Sequence, residues 1–152
     1  MTRVLLSHEV CWFRSLWYGG SHVCLWWAIL PSGTLHIVSE LVKEKCLISV
    51  LAREIRLRTR RLGVEESQGE ELDRRPWISY TVEDRLAMQG KSAKGDDGET
   101  RADTFRQHGI VIRESSHDEA QGWTRVGELL GTLPDGRPLL IIDPSFQHVI
   151  RA

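Results

Sequence analysis

The stretch of sequence that decides the fold is residues 76–122, which read PWISYTVEDRLAMQGKSAKGDDGETRADTFRQHGIVIRESSHDEAQG. It begins with an apolar run, Trp77 to Val82, whose aromatic and β-branched residues predict a strand. One carboxylate, Asp84, follows at the end of this strand, and a polar loop rich in glycine runs from Gly90 to Gly98. An acid at the tip of a buried strand, beside a long loop, is one part of a metal-dependent site that cleaves phosphodiesters.

Capping boxes predict two helices after this loop. The first is Thr100-x-x-Asp103, which opens a helix that faces Phe105 inward and stops at Gly109. The second is Ser116-x-x-Glu119, which opens a helix with a shared apolar face. That face is formed by Ala120, Trp123, Val126 and Leu130. A short strand, Ile110 to Ile112, is predicted between the two helices.

The first 38 residues predict a three-stranded antiparallel meander. Turns at residues 18–21 and at Pro31-Ser32-Gly33 separate three runs that are rich in aromatic and β-branched residues. Trp26 and Trp27 are adjacent, so a strand directs their side chains to opposite faces. One of the two therefore belongs to the core, and the other has to be covered by a helix or by a partner.

The clearest helix follows this meander. Its apolar stripe consists of Ile48, Leu51, Ile55 and Leu62. Gly63 is placed to end the helix, and Glu54 is placed to pair with Arg58. The opposite face carries Arg53, Arg56 and Arg60. That face is either a surface that follows phosphates or a solvated helix face, and the second is favoured because the acidic surface loop at residues 65–75 offsets its charge.

The last strand is predicted at Leu139–Ile142, a continuous apolar run typical of a strand buried on both faces, and Asp143-Pro144 caps a final helix. The order of elements predicts an α/β fold with a ribonuclease-H-like mixed sheet in a single domain, residues 1–152. An antiparallel three-stranded meander precedes parallel βα crossovers, with helices on both faces. Leu139–Ile142, Trp77–Val82 and the strand around Leu16 are expected to lie side by side.

Composition is that of an ordinary globular domain, with 41% hydrophobic and 27% charged residues in 152. Lys and Arg number 20 against 21 for Asp and Glu, so DNA binding would have to come from a local patch. Cys11, Cys24 and Cys46 form no CxxC pair, which argues against a disulfide framework or a zinc site. No signal peptide or membrane span is recognisable, so a cytoplasmic location is expected.

Motifs along nearly the whole chain share their order and spacing with one protein family. They are Phe13-Arg14-Ser15-Leu16, Leu25-Trp26-Trp27-Ala28, Ser32-Gly33-Thr34-Leu35-His36-Ile37, Tyr80-Thr81-Val82-Glu83-Asp84, residues 98–110, residues 122–130 and residues 136–140. Together they resemble the C-terminal nuclease domain of the tailed-phage terminase large subunit, which implies a phage or prophage origin and a bacterial host cell. No GxxxxGKS loop occurs, so the chain resembles the nuclease half and not the ATPase half.

The resemblance implies two-metal phosphodiester hydrolysis with Mg²⁺ or Mn²⁺, by which intact relatives cut concatemeric viral DNA during genome packaging. The family supplies three acids, and Asp84 matches the second, so Asp84 is the candidate catalytic and metal-binding residue. Trp17 stands where the first acid is expected, and the third lies beyond Ala152 or is absent. The chain is therefore expected to be a partial, catalytically impaired domain that retains one of three ligands.

Lys91 and Lys94 are the candidate DNA contacts, with a solvated loop as the alternative. The implied partners are double-stranded DNA, the terminase ATPase domain, the small subunit and the portal, with no membrane. Asp84 is also consistent with an N-cap, and Glu83 is expected to be a surface carboxylate. The whole chain is alternatively a non-catalytic module that keeps the fold to bind DNA or protein, or the product of a decayed prophage gene.

Overall fold

The computed structural model describes residues 9–18, 20–66, 76–83, 100–114 and 119–151. Its strands are β1 (Cys11–Tyr18), β2 (Ser21–Ile29), β3 (Leu35–Glu44), β4 (Glu65–Glu66), β5 (Trp77–Glu83), β6 (Ile112–Glu114) and β7 (Leu140–Ile142). Its helices are α1 (Ile48–Arg61), α2 (Arg101–Gln107), α3 (Glu119–Leu129) and α4 (Gln147–Arg151). None of the described helices is long and apolar enough to cross a membrane.

The strands form one mixed sheet of seven, with β1 near its centre. On one side β1 pairs antiparallel with β2, and β2 pairs antiparallel with β3, which confirms the predicted meander. On the other side β1 pairs in parallel with β5, and β5 pairs in parallel with β6. The order β3-β2-β1-β5-β6 is ribonuclease-H-like, so the predicted α/β fold class is confirmed.

Alternation along the central strands builds the core on the face that α1 covers. Its largest members from these elements are Trp12, Leu16, Trp26, Leu51 and Ile55. Trp27 lies on the opposite face, where its ring stacks on that of Phe13 with centroids 5.5 Å apart. The two adjacent tryptophans therefore divide as predicted, with Trp26 in the core.

Helix α1 forms on the predicted apolar stripe and ends as predicted. Gly63 follows it in the left-handed conformation, with φ at 81°. The predicted pairing of Glu54 with Arg58 is wrong. Arg58 Nη1 donates instead to Ser39 Oγ at 3.3 Å and to the carbonyl oxygen of Glu40 at 3.1 Å. Arg58 therefore joins α1 to β3.

Helix α2 has the predicted capping box. Thr100 Oγ1 accepts from the backbone N–H of Asp103 at 3.2 Å, and Asp103 Oδ2 accepts from the N–H of Thr100 at 3.1 Å. Phe105 is fully buried, and Gly109 follows the helix with φ at 84°. The following strand begins two residues later than predicted, because the N–H of Ile110 donates to the Phe105 carbonyl and still belongs to the helix end.

The position of the last strand differs from the prediction. Strand β7 pairs in parallel with β3 at the sheet edge and is half-buried, so the Leu139–Ile142 run lies beside neither β1 nor β5. An apolar run of this length indicates a strand but not its place in a sheet. Glu65 and Glu66, expected in a loop, form β4 and pair with the start of β5. The final helix begins at Gln147, three residues after Pro144.

Helix α3 exists as predicted, but its apolar face lies outside the core. Val126 and Leu130 are 44% and 73% exposed, and Ala120 is exposed as well. An apolar stripe establishes that a helix is amphipathic and leaves open what covers it. Ser116, the expected cap, lies outside the described residues.

A buried arginine joins four elements. Arg14 of β1 is 1% exposed; its Nε donates to Thr81 Oγ1 of β5 at 2.9 Å, and its Nη1 donates to Thr59 Oγ1 of α1 at 3.0 Å. The guanidinium also forms an ion pair with Glu66 of β4, with Nη2 2.7 Å from Oε2. Trp26 Nε1 donates to the same Thr59 hydroxyl at 2.9 Å. Each guanidinium nitrogen thus meets an oxygen, as a buried charge requires.

Replacing this arginine is expected to destabilise the fold strongly. Arg14→Met leaves the mostly buried Glu66 without its cation, so the free energy of unfolding should fall by about 3 kcal/mol or more in urea titrations followed by circular dichroism. The control is Arg125→Met, which removes an ion pair with Glu128 whose side chains are 70% and 56% exposed and should change stability little. Equal losses in the two variants would contradict the structural role of Arg14.

Candidate functional site

Two residues next to the predicted site, Trp17 and Glu83, lie where β1 and β5 end side by side. The parallel register of these strands aligns Glu83, the last residue of β5, with the residue that precedes Trp17 on β1. The Trp17 side chain is 56% exposed. Asp84 follows Glu83 in the sequence but lies outside the described residues, as do Lys91 and Lys94. Their assigned roles therefore stay predictions.

Glu83 is not the surface carboxylate that was expected. Its side chain is fully buried, and the Nε of Arg101, itself 3% exposed, lies 2.9 Å from Glu83 Oε1. The physical reason is strand alternation, which directs Glu83 to the same face as its partner Leu16, where α1 and α2 pack. A buried carboxylate needs a counter-charge, and here the guanidinium supplies it.

Aromatic rings pack against this ion pair. The Cζ of Arg101 lies 4.3 Å from the centroid of the Tyr18 ring, which is a cation–π contact. Tyr18 stacks on His22 with centroids 3.9 Å apart and meets Phe105 edge-on at 6.4 Å. Burial raises the pKa of the Tyr18 phenol, so it stays protonated at neutral pH. The charged pair is thus enclosed by neutral side chains.

His22 is buried and neutral. Its Nε2 accepts from the backbone N–H of Cys46 at 3.4 Å. Burial lowers the pKa of His22, and the positive charges of Arg101 and Lys45 lower it further. The His22 imidazole is stacked on Tyr18 and has no exposed surface. A general base has to reach its substrate, so His22 has a packing role and not a catalytic one.

The opposite face of the sheet, on which Trp17 lies, is aromatic. Phe13 stacks on Trp27 and on Tyr80, with centroids 5.5 Å and 5.1 Å apart. Trp27 Nε1 donates to Ser15 Oγ at 2.9 Å, which fixes the indole over β1. The residues that precede Trp17 on this face therefore supply rings and a hydroxyl, where a metal site needs carboxylates.

The described residues do not fit a two-metal site. Two hard divalent ions need several carboxylate oxygens, one of which bridges them. Within the described ranges, no three side chains of His, Cys, Asp or Glu come together. Glu83 is engaged by Arg101, and the Trp17 indole has no oxygen to offer. Burial raises the pKa of Cys24 to about 12, so this core thiol is not a thiolate ligand either.

Arg101 was not identified from the sequence, although a signal for it was present. It occupies the first position of α2, directly after the cap Thr100. A cation in the first turn opposes the positive end of the helix dipole and is unfavourable there. An arginine at such a position indicates an acidic partner on another element, and that partner is Glu83.

No protein-family model matches this chain, and no curated protein matches it. Among solved structures, it is similar to the large terminase from a thermophilic bacteriophage, with a TM-score of 0.63, 13% identity, and coverage of 93% of this chain and 30% of that chain. The same terminase in complex with ADP gives a TM-score of 0.61, with 13% identity and the same coverage. This similarity shows a shared fold, and the chain spans about 30% of the length of those terminases.

The g2p (large terminase) nuclease domain from the bacteriophage SPP1, whose structure contains bound Mn, is also matched. The match covers 95% of this chain and 82% of that domain at 13% identity. Its TM-score of 0.32 is too low to establish a common fold.

Stability should decline as the solution is made mildly acidic. The pKa of His22 is lowered from 6.5 in the folded protein, whereas the unfolded chain keeps the ordinary value, so below about pH 6.5 the unfolded state binds a proton that the folded state refuses. The stabilisation is complete above that pH and is lost as pH falls toward the folded pKa. The free energy of unfolding should therefore drop as the pH falls below about 6.5, and drop less in His22→Gln.

Three carboxylates whose pKa values are shifted do not explain this mildly acidic window. The pKa values of Asp103, Asp135 and Asp143 are lowered from 3.8 by hydrogen bonds from their neighbours, so these groups stay ionised throughout it. Urea titrations at several pH values measure the slope. An identical slope in His22→Gln would show that His22 takes no part.

Proposed function

We propose that this chain, which shares its fold with a phage large terminase, is a terminase-type nuclease domain that is catalytically impaired. The proposal rests on one observation, the buried ion pair between Glu83 and Arg101 at the end of β5, next to Trp17 on β1. At these strand ends the described chain presents a buried guanidinium on one face of the sheet and an exposed indole on the other, whereas two-metal hydrolysis needs carboxylates. Intact proteins of the resembled family use this chemistry to cut concatemeric DNA.

Arg101 competes directly with any metal ion for Glu83. A guanidinium stays charged at every pH at which proteins fold, and its Nε lies 2.9 Å from the carboxylate oxygen. A divalent ion that displaced it would leave a buried, unpaired cation, which costs about 3–5 kcal/mol. Asp84 then remains as the one acid that the resemblance assigns to the site, and a single carboxylate does not hold two ions.

The proposed context is viral DNA packaging. Double-stranded DNA is the proposed ligand, and the ATPase part of a terminase, its small subunit and the portal are the proposed protein partners. Mg²⁺ or Mn²⁺ is the metal that an active relative would use, held by carboxylates in the positions of Trp17 and Asp84. The chain spans about 30% of the length of the similar terminases, so these partners are proposed from its likeness to that part of a terminase.

A second candidate function is a non-catalytic module that keeps the fold in order to bind DNA or protein. The observation that favours it is the complete hydrogen bonding of Arg14, whose three guanidinium nitrogens each reach an oxygen. These hydrogen bonds hold four elements together through side chains alone, and a module that binds DNA or protein needs only the fold that they hold. An impaired nuclease domain can still bind DNA. The second candidate differs from the first because binding, and not cleavage, is then the function of the domain.

Metal affinity should rise when an acid is restored on β1. Trp17→Asp adds a second carboxylate beside the one assigned to Asp84, and like charges held close together repel until a cation joins them. We expect Mn²⁺ binding to tighten roughly tenfold or more, or about 1.4 kcal/mol, in titration calorimetry. Trp17→Asn is the matched control and should bind as weakly as the unmodified chain. Two tight sites in the unmodified chain would show that other ligands hold the metal.

The unmodified chain should not nick supercoiled plasmid with Mg²⁺ or Mn²⁺ above background. Without a bridging acid, neither the attacking nor the leaving oxygen is stabilised, so the mechanism is removed and not merely slowed. Agarose electrophoresis measures the nicked fraction, with Asp84→Ala as the control. Metal-dependent nicking that disappears in Asp84→Ala would overturn the proposed impairment and make the domain a working nuclease.

A further inference from the structure

The outer face of α1 carries a row of exposed arginines. The row consists of Arg53, Arg56 and Arg60. Their spacing of three and four residues places them on one side of the helix, within an arc of about 60°. At about 1.5 Å per residue the row is about 10 Å long. This face points away from the core stripe of Leu51 and Ile55.

The arginine row borders a shallow groove of about 190 Å³. Besides the arginines, the groove is lined by Ser49, Leu57 and His108. No acidic side chain of the described chain lines it, and its volume is below that of sites for drug-sized molecules. The groove therefore suits small anionic groups presented from outside, such as the phosphates of a polymer.

Helix electrostatics does not account for the row. Arg60 lies in the last turn of α1, where a cation is favoured by the helix dipole. Arg53 and Arg56 lie in the middle of the helix and gain nothing from it. Arg58 shows the contrast, because it stands about 140° around the helix from Arg53 and bonds to Ser39 and to the Glu40 carbonyl.

Two described acids that could offset the charge of the row are directed elsewhere. Glu66 was expected to help cancel it, but both of its carboxylate oxygens are engaged by Arg14 on the other side of α1. Glu54 is the one acid within α1, and it stands about 100° around the helix from Arg53. The interpretation of a neutralised, solvated face loses this part of its support.

Two further features favour anion binding here. Arg56 is held in place, since its Nη1 donates to the carbonyl oxygen of His108 at 3.4 Å. The N-cap of α1, Leu47, offers no side-chain oxygen, and no acid lies in the first turn, so the positive end of the helix dipole is left uncompensated. Lys45 lines the adjoining groove, which shares Ser49 and His108 with the first.

We propose that the arginine row is a phosphate-binding surface for double-stranded DNA, separate from the strand ends that carry the candidate metal site. Successive phosphates of one strand rise about 3.4 Å along the duplex axis, so a row of about 10 Å spans about three such steps, which is enough for each arginine to meet a phosphate. The overall charge of −1 means that binding depends on this local patch and not on a global field. The choice of DNA as the polymer rests on the proposed function.

Salt-dependent binding to duplex DNA tests the proposal. The probe is a labelled duplex of about 30 base pairs, followed by fluorescence anisotropy in EDTA between about 50 and 200 mM salt. Arg53→Gln/Arg56→Gln/Arg60→Gln should reduce the slope of log K against log salt by roughly 2–3 and weaken binding at low salt at least about tenfold. Each single variant should reduce the slope by about one.

The control removes the same net charge elsewhere. It is Arg106→Gln/Arg125→Gln/Arg137→Gln, at exposed arginines that each pair with a neighbouring acid. The control should keep the slope and affinity of the unmodified chain. Equal losses in both triple variants, or no loss in the arginine-row variant, would overturn the proposal. Equally tight binding of poly-glutamate through the row would show that its partner is an acidic polypeptide and not DNA.

Metal-free binding separates this inference from the proposed function. Nicking activity in the presence of metal would overturn the proposed impairment and leave the binding result untouched. Loss of DNA binding in the arginine-row variant, with unchanged circular dichroism and thermal midpoint, would support the inference whatever the nicking result.

Discussion

The fold depends on a positive charge placed at the centre of its sheet. Arg14 lies on β1, the strand between the antiparallel meander and the parallel crossovers, and it is almost fully buried. A charge in that position is tolerated only when every donor meets an oxygen, so Thr59, Thr81 and Glu66 must all be in place at once. These residues lie on three different elements, and their meeting fixes where α1, β4 and β5 stand against β1.

The same constraint determines the chemistry at the ends of β1 and β5. Glu83 is the acid that alternation directs into the core, and a buried carboxylate stays ionised when a cation lies beside it. This chain supplies Arg101, at a helix position that is unfavourable for a cation on its own. On the other face, Trp17 continues an aromatic surface with Phe13 and Trp27. The ends of these two strands are thus built as a packed ion pair on one face of the sheet and an exposed indole on the other.

Much of the fold could be predicted from residues that are close together in the sequence. Contacts between separate elements could not, because no local pattern specifies them. The stripe of α1, the capping box at Thr100 and the three-stranded meander each depend on residues close together in sequence, and all are confirmed. The edge position of β7 and the exposure of α3 depend on which element packs on which, and no local pattern encodes that. The pairing of Glu83 with Arg101 joins separate elements in the same way. The roles given to Asp84 and the loop lysines remain predictions.

Paramagnetic broadening by Mn²⁺ tests the central claim, that an ion pair and an indole have replaced the metal site, most directly. The indole N–H of Trp17 and the Nε–H of Arg101 report from the two faces at the ends of β1 and β5, and a bound Mn²⁺ ion would broaden both signals in ¹⁵N-labelled protein. The account predicts that both stay sharp at equimolar Mn²⁺, with any broadening confined to exposed acids such as Asp135. Selective loss of both signals at substoichiometric Mn²⁺ would contradict it.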